Sequence, residues 1–438
     1  MVNEFPKVLI VGTVPYNKKS TSRAFESYFH GWNKERLAQV FSNTRTPVKG
    51  HCGSLYQITD QRLVKRRFDR CIKVGKRYEY DELPDEWLDD DLELGSSMFS
   101  KLYAFGSRSS HITHLMRKCV WRERYWHTED LDAWLDDFKP DCVFLAFSND
   151  YFILEIALYV AERFDVPIVS AIGDDYYFEE NETVSPLYWL YKRTYRSLVR
   201  RVFEHGGSAV YIGNKIRDKY NSAFGLRGGT VYLTSEAHRR TFRPINTERP
   251  IIRYFGNIRL GRNRSLLELG KVLGRINPNY RLEVYSNETD SKQYQMLVDE
   301  PMVDFMGSVP YKTVLEKTLE SDVLVVVEGF DKRDVDITRY SLSTKVADAL
   351  ASGAMVVGYG SSECGAIEYL AEAGCCCVAN NAADLQRKIE RLFYDAELQR
   401  RLYDASDEVV RMNHTLENSN AVFRGIVEKA IGGYARHE

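Results

Sequence analysis

Short runs of consecutive apolar residues recur along this chain, and stretches with apolar positions at helical spacing separate them. Such runs, too short to be buried helices and rich in β-branched residues, predict the strands of a parallel sheet covered on both faces. The first is Lys7-Val8-Leu9-Ile10-Val11, closing in Gly12-Thr13-Val14-Pro15. A helical stretch follows from Ser20 through Trp32, and a second strand from Leu37 to Phe41. The alternation resumes with a helix over Leu131–Phe138, a strand over Cys142–Phe147 and a helix over Leu154–Phe164. A strand over Ile168–Ile172 comes next, and Val210–Ile212 and Val231–Leu233 predict the last strands of this half.

Residues 44–110 break the pattern. Arg62 to Arg77 holds eight basic residues against one acid, and Glu79 to Glu93 is heavily acidic. This predicts an inserted, solvent-facing segment, since dense charge resists burial.

Phe242-Arg243-Pro244 through Arg249-Pro250 reads as a linker, two prolines bounding a polar stretch. A new series then starts at Ile251–Phe255 and continues with strands at Leu282–Tyr285, Val303–Met306, Val323–Val327 and Met355–Tyr359. Helices over Leu266–Leu273, Tyr294–Leu297 and Val314–Leu319 alternate with them. The expected fold class is therefore α/β, with two Rossmann-like doubly wound domains.

Composition narrows the reading. A length of 438 residues exceeds one ordinary core, in keeping with two domains. The formal net charge of -2 does not suggest bulk nucleic-acid binding. Eight cysteines, including Cys375-Cys376-Cys377, contain no C-x-x-C pair, which suits reduced thiols rather than a zinc site. No signal peptide or long apolar run is seen, so a cytoplasmic protein is expected.

The stretch Ser341 to Gly353 carries the sharpest chemical signal. Hydroxyls precede a short helix with Val346, Ala349 and Leu350 at helical spacing, and Gly353 suits its left-handed end. A helix start leaves N–H groups unpaired and can hold phosphate. Ser343, Thr344 and Lys345 sit there, with Asp348 one turn on. That step, roughly 5 Å along the axis, is about the distance from a nucleotide's phosphate to its ribose hydroxyls. The alternative is a capped helix with an internal Lys345–Asp348 pair. Gly256-Asn257 leads into Arg259, Arg262 and Arg264, whose guanidinium forks suit phosphate oxygens, unless they form a solvated basic turn.

In the first half, Gly12 and Thr13 stand at a strand exit, where ligands of such sheets gather. Asp174 and Asp175 leave another, either as binding or proton-accepting groups or as loop acids. His111 and His114 lie near a helix start and read as capping or structural residues, with no further ligands at metal spacing. Residues 186–205 mix Tyr188, Trp189, Tyr191 and Tyr195 with Lys192, Arg193, Arg196, Arg200 and Arg201. Such a helix either rests on an anionic lipid surface or turns its rings inward.

Ser341 to Gly353 with Val356-Val357-Gly358-Tyr359-Gly360 resembles the retaining GT-B glycosyltransferases of the large family that builds capsular and other bacterial polysaccharides. Phe255-Gly256-Asn257 with Arg262 or Arg264, Pro140-Asp141 and Asp174-Asp175-Tyr176-Tyr177 support the likeness, which covers nearly the whole chain. It implies two domains facing across a cleft, with the nucleotide-sugar donor on the second. The corresponding spans are an acceptor-side domain over 1–243, a donor domain over 244–412, and a helix over 413–438 packing back on the first. Lys345 and an arginine after Gly256 would hold the diphosphate, and Asp348 would take the ribose in place of the family's glutamate. Tyr340 occupies the family's first acidic position, while Glu328-Gly329-Phe330 resembles its Glu-Gly-Phe but lies twelve residues earlier.

The resemblance implies transfer of a hexose-type sugar from a UDP- or GDP-sugar to a glycan or lipid-linked glycan, with retention. It implies no cofactor and no catalytic metal, with Lys345, Arg262, Asp174 and Asp175 doing the chemistry. Gly12, Thr13, Gly256, Asn257, Arg259, Arg264, Glu328, Ser343, Thr344 and Asp348 would contact the donor. Peripheral contact with the inner face of the plasma membrane would run through 186–205. The alternatives are a non-catalytic GT-B nucleotide-sugar-binding partner and a GT-B nucleotide-sugar epimerase.

Overall fold

The computed structural model describes residues 5–16, 23–86, 111–180 and 183–434. The chain divides into two compact units, Met1–Val231 with Asn420–Glu438, and Tyr232–Ser419.

The first unit is built on an eight-stranded sheet. Its strands are β1 (Val8–Gly12), β2 (Leu37–Phe41), β3 (Ser54–Ile58), β4 (Gly75–Glu79), β5 (Cys142–Ala146), β6 (Ile168–Ile172), β7 (Ser208–Tyr211) and β8 (Arg227–Thr230). They lie in the order β4-β3-β2-β1-β5-β6-β7-β8. All neighbours are parallel except β3 and β4. β1 and β2 are buried throughout, as β-branched strands covered on both faces must be. A cluster of rings, Tyr28, Phe29, Phe144 and Phe423, joins the sheet to the helix Leu416–Tyr434, in which Phe423 and Val427 are fully buried.

The charged stretch after Thr44 is not wholly an insertion. Leu55 to Ile58 are buried in β3, which pairs in parallel with β2, while β4 closes the sheet edge antiparallel. Between them lies the helix Asp60–Phe68, capped by Thr59. Arg62 at its start is buried, with its guanidinium on Gln57 Oε1 at 3.0 Å. Charge density hides this strand because β3 itself is uncharged and the basic residues lie outside it. Residues 87–110, the rest of that segment, lie outside the described residues.

The second unit is a six-stranded, wholly parallel sheet of β9 (Ile252–Phe255), β10 (Leu282–Tyr285), β11 (Val303–Gly307), β12 (Val323–Val327), β13 (Met355–Tyr359) and β14 (Cys377–Ala379). Its order is β11-β10-β9-β12-β13-β14. Counted from β9, that is the 3-2-1-4-5-6 order of dinucleotide-binding sheets. Strand β14 has no counterpart in the expected set, and the helix Lys332–Thr338 fills the interval between Glu328 and the Ser343 region.

The boundary between units also differs from the expected 243/244. Val231 bonds to Tyr211 at the edge of the first sheet, but from Tyr232 onward the chain serves the second unit. The reason is helix capping. A helix end leaves carbonyls unpaired, and for the helix Thr344–Ser352 these are met by Arg239 and Arg240, which precede the expected linker and fall within the span expected for the first domain. Arg239 Nη1 donates to Leu350 O at 3.0 Å, Arg240 N to Ser352 O at 3.0 Å, and Arg240 Nε to Gly353 O at 3.3 Å. Likewise the final helix changes unit at Asn420 rather than at 413. Among the described residues no helix is long and apolar enough to cross a membrane.

Candidate functional site

In an open parallel sheet, a ligand crevice forms where the strand order reverses, at the carboxyl ends of the two strands concerned. In the second unit those strands are β9 and β12. They exit into Gly256-Asn257 and into Glu328-Gly329. The helix Arg262–Ile276 starts beside them, with Gly261 left-handed at φ 74° and no side-chain cap.

Arg262 bridges the two exits. Its Nε donates to Glu328 Oε2 at 2.9 Å, Nη2 to Glu328 Oε1 at 3.0 Å, and Nη1 to Asn257 Oδ1 at 2.7 Å. Glu328 is 3% exposed. Burial pushes its carboxyl pKa above the usual range although Arg262 pulls it down. Burial disfavours the Arg262 charge, but the adjoining carboxylate more than compensates and its pKa rises.

Lys345 completes the group. The helix Thr344–Ser352 begins as the sequence predicts, with Ser343 Oγ accepting from Lys345 N and Gly353 left-handed at φ 78°. The ammonium lies over the Tyr254 ring, 5.5 Å from its centroid. Gly256, at φ +152°, leaves room for it: a Cβ there would stand 1.7 Å from Lys345 Nζ. Among the described residues no hydrogen bond or ion pair engages this Nζ. Desolvation, and then the neighbouring Arg262 charge, lower its pKa from 10.5 to about 8, with Glu328 acting the other way. One carboxylate thus stands between two cations, and a bidentate arginine already occupies it. The local charge favours an arriving anion.

Asp348 lies one turn along, 6% exposed. Ser235 Oγ donates to its Oδ1 at 2.6 Å, and Tyr311 OH approaches both oxygens at 3.4 and 3.5 Å. Its carboxylate faces these hydroxyls rather than pairing with Lys345. Beneath them, His414 is buried, with Nδ1 2.7 Å from Leu233 O and Nε2 2.8 Å from Tyr369 OH. Burial lowers its pKa.

The other basic residues of the exit loop turn away. Arg259 pairs with Glu288 at 2.7 Å, and Arg264 with Asp331, both guanidiniums largely exposed. The expected cluster of three arginines therefore reduces to one, Arg262. Sequence reasoning did not single out Tyr254, Tyr311 or Ser235. No motif marks them, because each reaches the site from a different strand, helix or loop.

In the first unit the order reverses between β1 and β5. Gly12 ends β1 and Thr13 follows it, with Thr13 O accepting from Asn43 N at 2.8 Å. At the exit of β5, Asp150 is 8% exposed and takes Arg117 Nη1 on both oxygens at 2.8 Å. His114 Nδ1 lies 3.2 Å from the same carboxylate, and its ring stacks on Tyr191 at 5.2 Å. Burial works against the Asp150 charge, but His114 and Arg117 outweigh it and its pKa falls.

The acid pair after β6 separates cleanly. Asp175 accepts from Tyr220 OH at 2.8 Å and Phe178 N at 3.1 Å, and pairs with Lys219 at 2.8 Å. It holds its loop together. Asp174 is exposed and, among the described residues, accepts one hydrogen bond, from Tyr176 OH at 3.2 Å. Of the two, only Asp174 has coordination to spare.

The helix Pro186–Glu204 buries Tyr188, Tyr191, Tyr195 and Lys192. Lys192 Nζ donates to Tyr176 O at 2.8 Å, and burial lowers its pKa to about 8. Its first turns nonetheless expose Leu187 (48%), Trp189 (44%) and Leu190 (54%), next to Val184.

No protein-family model matches this chain, and no curated protein matches it in sequence. Solved structures do. TarM aligns with TM-score 0.58 at 8% identity, over 96% of this chain and 98% of its own. A glycosyltransferase from Rickettsia africae aligns with TM-score 0.56 at 11% identity, over 98% and 99%. Anabaena HepE, solved with UDP, aligns with TM-score 0.54 at 10% identity, over 97% and 100%. Agreement over essentially whole chains at such low identity speaks for the arrangement of elements, and two parallel-sheet α/β units in these strand orders give this chain the GT-B fold.

Proposed function

We propose that this chain is a glycosyltransferase that moves a sugar from a UDP- or GDP-linked donor to a glycan or lipid-linked glycan, with retention at the anomeric carbon. The observation that carries this reading is the Lys345 ammonium, without a bonded partner among the described residues, where the second sheet reverses its order. The solved complexes of HepE with UDP and with UDP-glucose support a nucleotide-sugar donor.

In this reading the donor diphosphate sits on Lys345 beside Arg262, and Asp348 accepts the ribose hydroxyls on the side away from Ser235. The bond from the anomeric carbon to the diphosphate oxygen breaks, and its electron pair leaves with the phosphate. Lys345 and Arg262 stabilise that growing charge, the largest electrostatic demand of the step. The acceptor oxygen bonds to the anomeric carbon on the face the diphosphate leaves and gives its proton to the departing phosphate, while Asp174 orients the acceptor. In this reading the protein cations, and not a metal, meet the charge of the departing diphosphate. Exposed Leu187, Trp189 and Leu190, together with Arg193, support peripheral contact with the inner face of a membrane.

One observation favours a second reading, a nucleotide-sugar-binding partner without turnover. Arg262 spends its guanidinium on Glu328 and Asn257 before any ligand arrives. The test is chromatographic detection of free UDP or GDP from UDP-glucose and GDP-mannose, with and without hexoside acceptors. Turnover that disappears in folded Lys345→Ala supports transfer. Binding without turnover supports the partner reading, and absence of nucleotide binding overturns both.

A further inference from the structure

The aromatic and basic helix Pro186–Glu204 sends two of its arginines to a cavity that the donor site does not use. This cavity, ≈ 590 Å³, lies within the first unit and is lined by Tyr177, Phe178, Arg196, Arg200, Phe203, Glu204, Ala223 and Phe224, so that one carboxylate faces two guanidiniums. Both guanidiniums converge on one tyrosine. Arg196 Nε donates to Tyr177 O at 3.0 Å, and Arg200 Nε to Tyr177 OH at 2.9 Å. Arg196 is balanced by Glu180 at 2.6 Å. Among the described residues Arg200 has no ion pair, and neither of its Nη groups has a hydrogen-bond partner.

Four rings form most of the remaining wall. Phe224 stands edge-on to Tyr177 at 4.8 Å and to Phe203 at 4.9 Å, and Phe178 lies 5.8 Å from Phe224. An aromatic wall offers apolar faces to the C–H side of a sugar ring, and an arginine fork matches a carboxylate or phosphate. The volume falls within the range of small-molecule sites, roughly 300–1,000 Å³. We propose that this cavity binds a sugar residue bearing a carboxylate or phosphate group. Tyr177 belongs to the same β6 exit loop as Asp174. The sugar is accordingly a unit of an anionic acceptor glycan, an assignment that rests on the sugar-transfer reading; the binding site itself does not.

The experiment is a set of NMR titrations of the full chain with glucose 6-phosphate, glucuronic acid, glucose and inorganic phosphate. They are run in a Lys345→Ala background, so that the donor site does not compete for anions. Both anionic sugars are expected to saturate at about 1 mM, a typical value for a single-residue ligand. Glucose and inorganic phosphate are expected to bind about tenfold more weakly, since each lacks half of the recognition. Arg200→Gln, at an exposed position, removes the preference for anionic sugars, and Phe224→Leu removes the preference for sugar over phosphate. UDP binding in otherwise wild-type protein carrying Arg200→Gln stays unchanged, which separates this proposal from the donor site. The proposal is overturned if neither anionic sugar saturates, if Arg200→Gln leaves their binding intact, or if inorganic phosphate binds as tightly as glucose 6-phosphate.

Discussion

The lowered Lys345 pKa makes nucleotide binding depend on pH in a calculable way. A lysine whose folded pKa is about 8 against an ordinary 10.5 loses protons on folding between those values. An unliganded protein therefore carries a penalty below pH 8 that is relieved as pH rises toward 10.5. A shift of this size corresponds to on the order of 3 kcal/mol, at about 1.36 kcal/mol per unit. A diphosphate on the ammonium restores the charged state, so it binds the protonated form preferentially. Raising the pH from 7 to 9 moves the unliganded Lys345 from about nine-tenths to about one-tenth charged, and UDP affinity should fall about tenfold, or ~1.4 kcal/mol. Calorimetric titration of UDP between pH 7 and 9.5 measures the slope, in a range where the UDP phosphates are already ionised. Lys345→Arg, which keeps its charge throughout, should flatten it. Lys345→Met should abolish it while raising the unliganded Tm at pH 7 by a few degrees, because the desolvated charge is gone. A wild-type affinity that is flat across this window refutes the reasoning, as does a slope that survives in Lys345→Met.

Arg262→Met should cost about 3–5 kcal/mol in urea unfolding because it strands the buried Glu328 carboxylate, whereas Arg262→Met with Glu328→Leu should recover most of that loss. Asp175→Asn should lower stability by about 1–3 kcal/mol through the loss of its Lys219 and Tyr220 contacts. Asp174→Asn should leave the unfolding midpoint unchanged and slow sugar transfer. Replacing exposed Leu187 and Leu190 by Glu should reduce co-sedimentation with vesicles containing anionic lipid, while the circular dichroism spectrum stays that of the wild type.

The sequence by itself determined most of the strands and the short helix before Gly353. Runs such as Val323–Val327 can be satisfied only when covered on both faces, and a left-handed glycine ends a helix wherever it is placed. It also brought Lys345, Arg262, Gly256 and Glu328 into consideration, because strand exits can be read along the chain. Tertiary structure decided which of these residues meet. Arg259 and Arg264 have the same chemistry as Arg262, but nearby acids from other elements claim them. Asp174 and Asp175 are adjacent and identical in type, yet Lys219 and Tyr220 come from a helix some forty residues later and bind only the second. The stretch around β3 was hidden by its charged flanks, and the unit boundary by a cap that Arg239 and Arg240 supply to carbonyls more than one hundred residues away. Local pattern fixes what a residue can do; which partner desolvates or neutralises it depends on groups brought together only by folding.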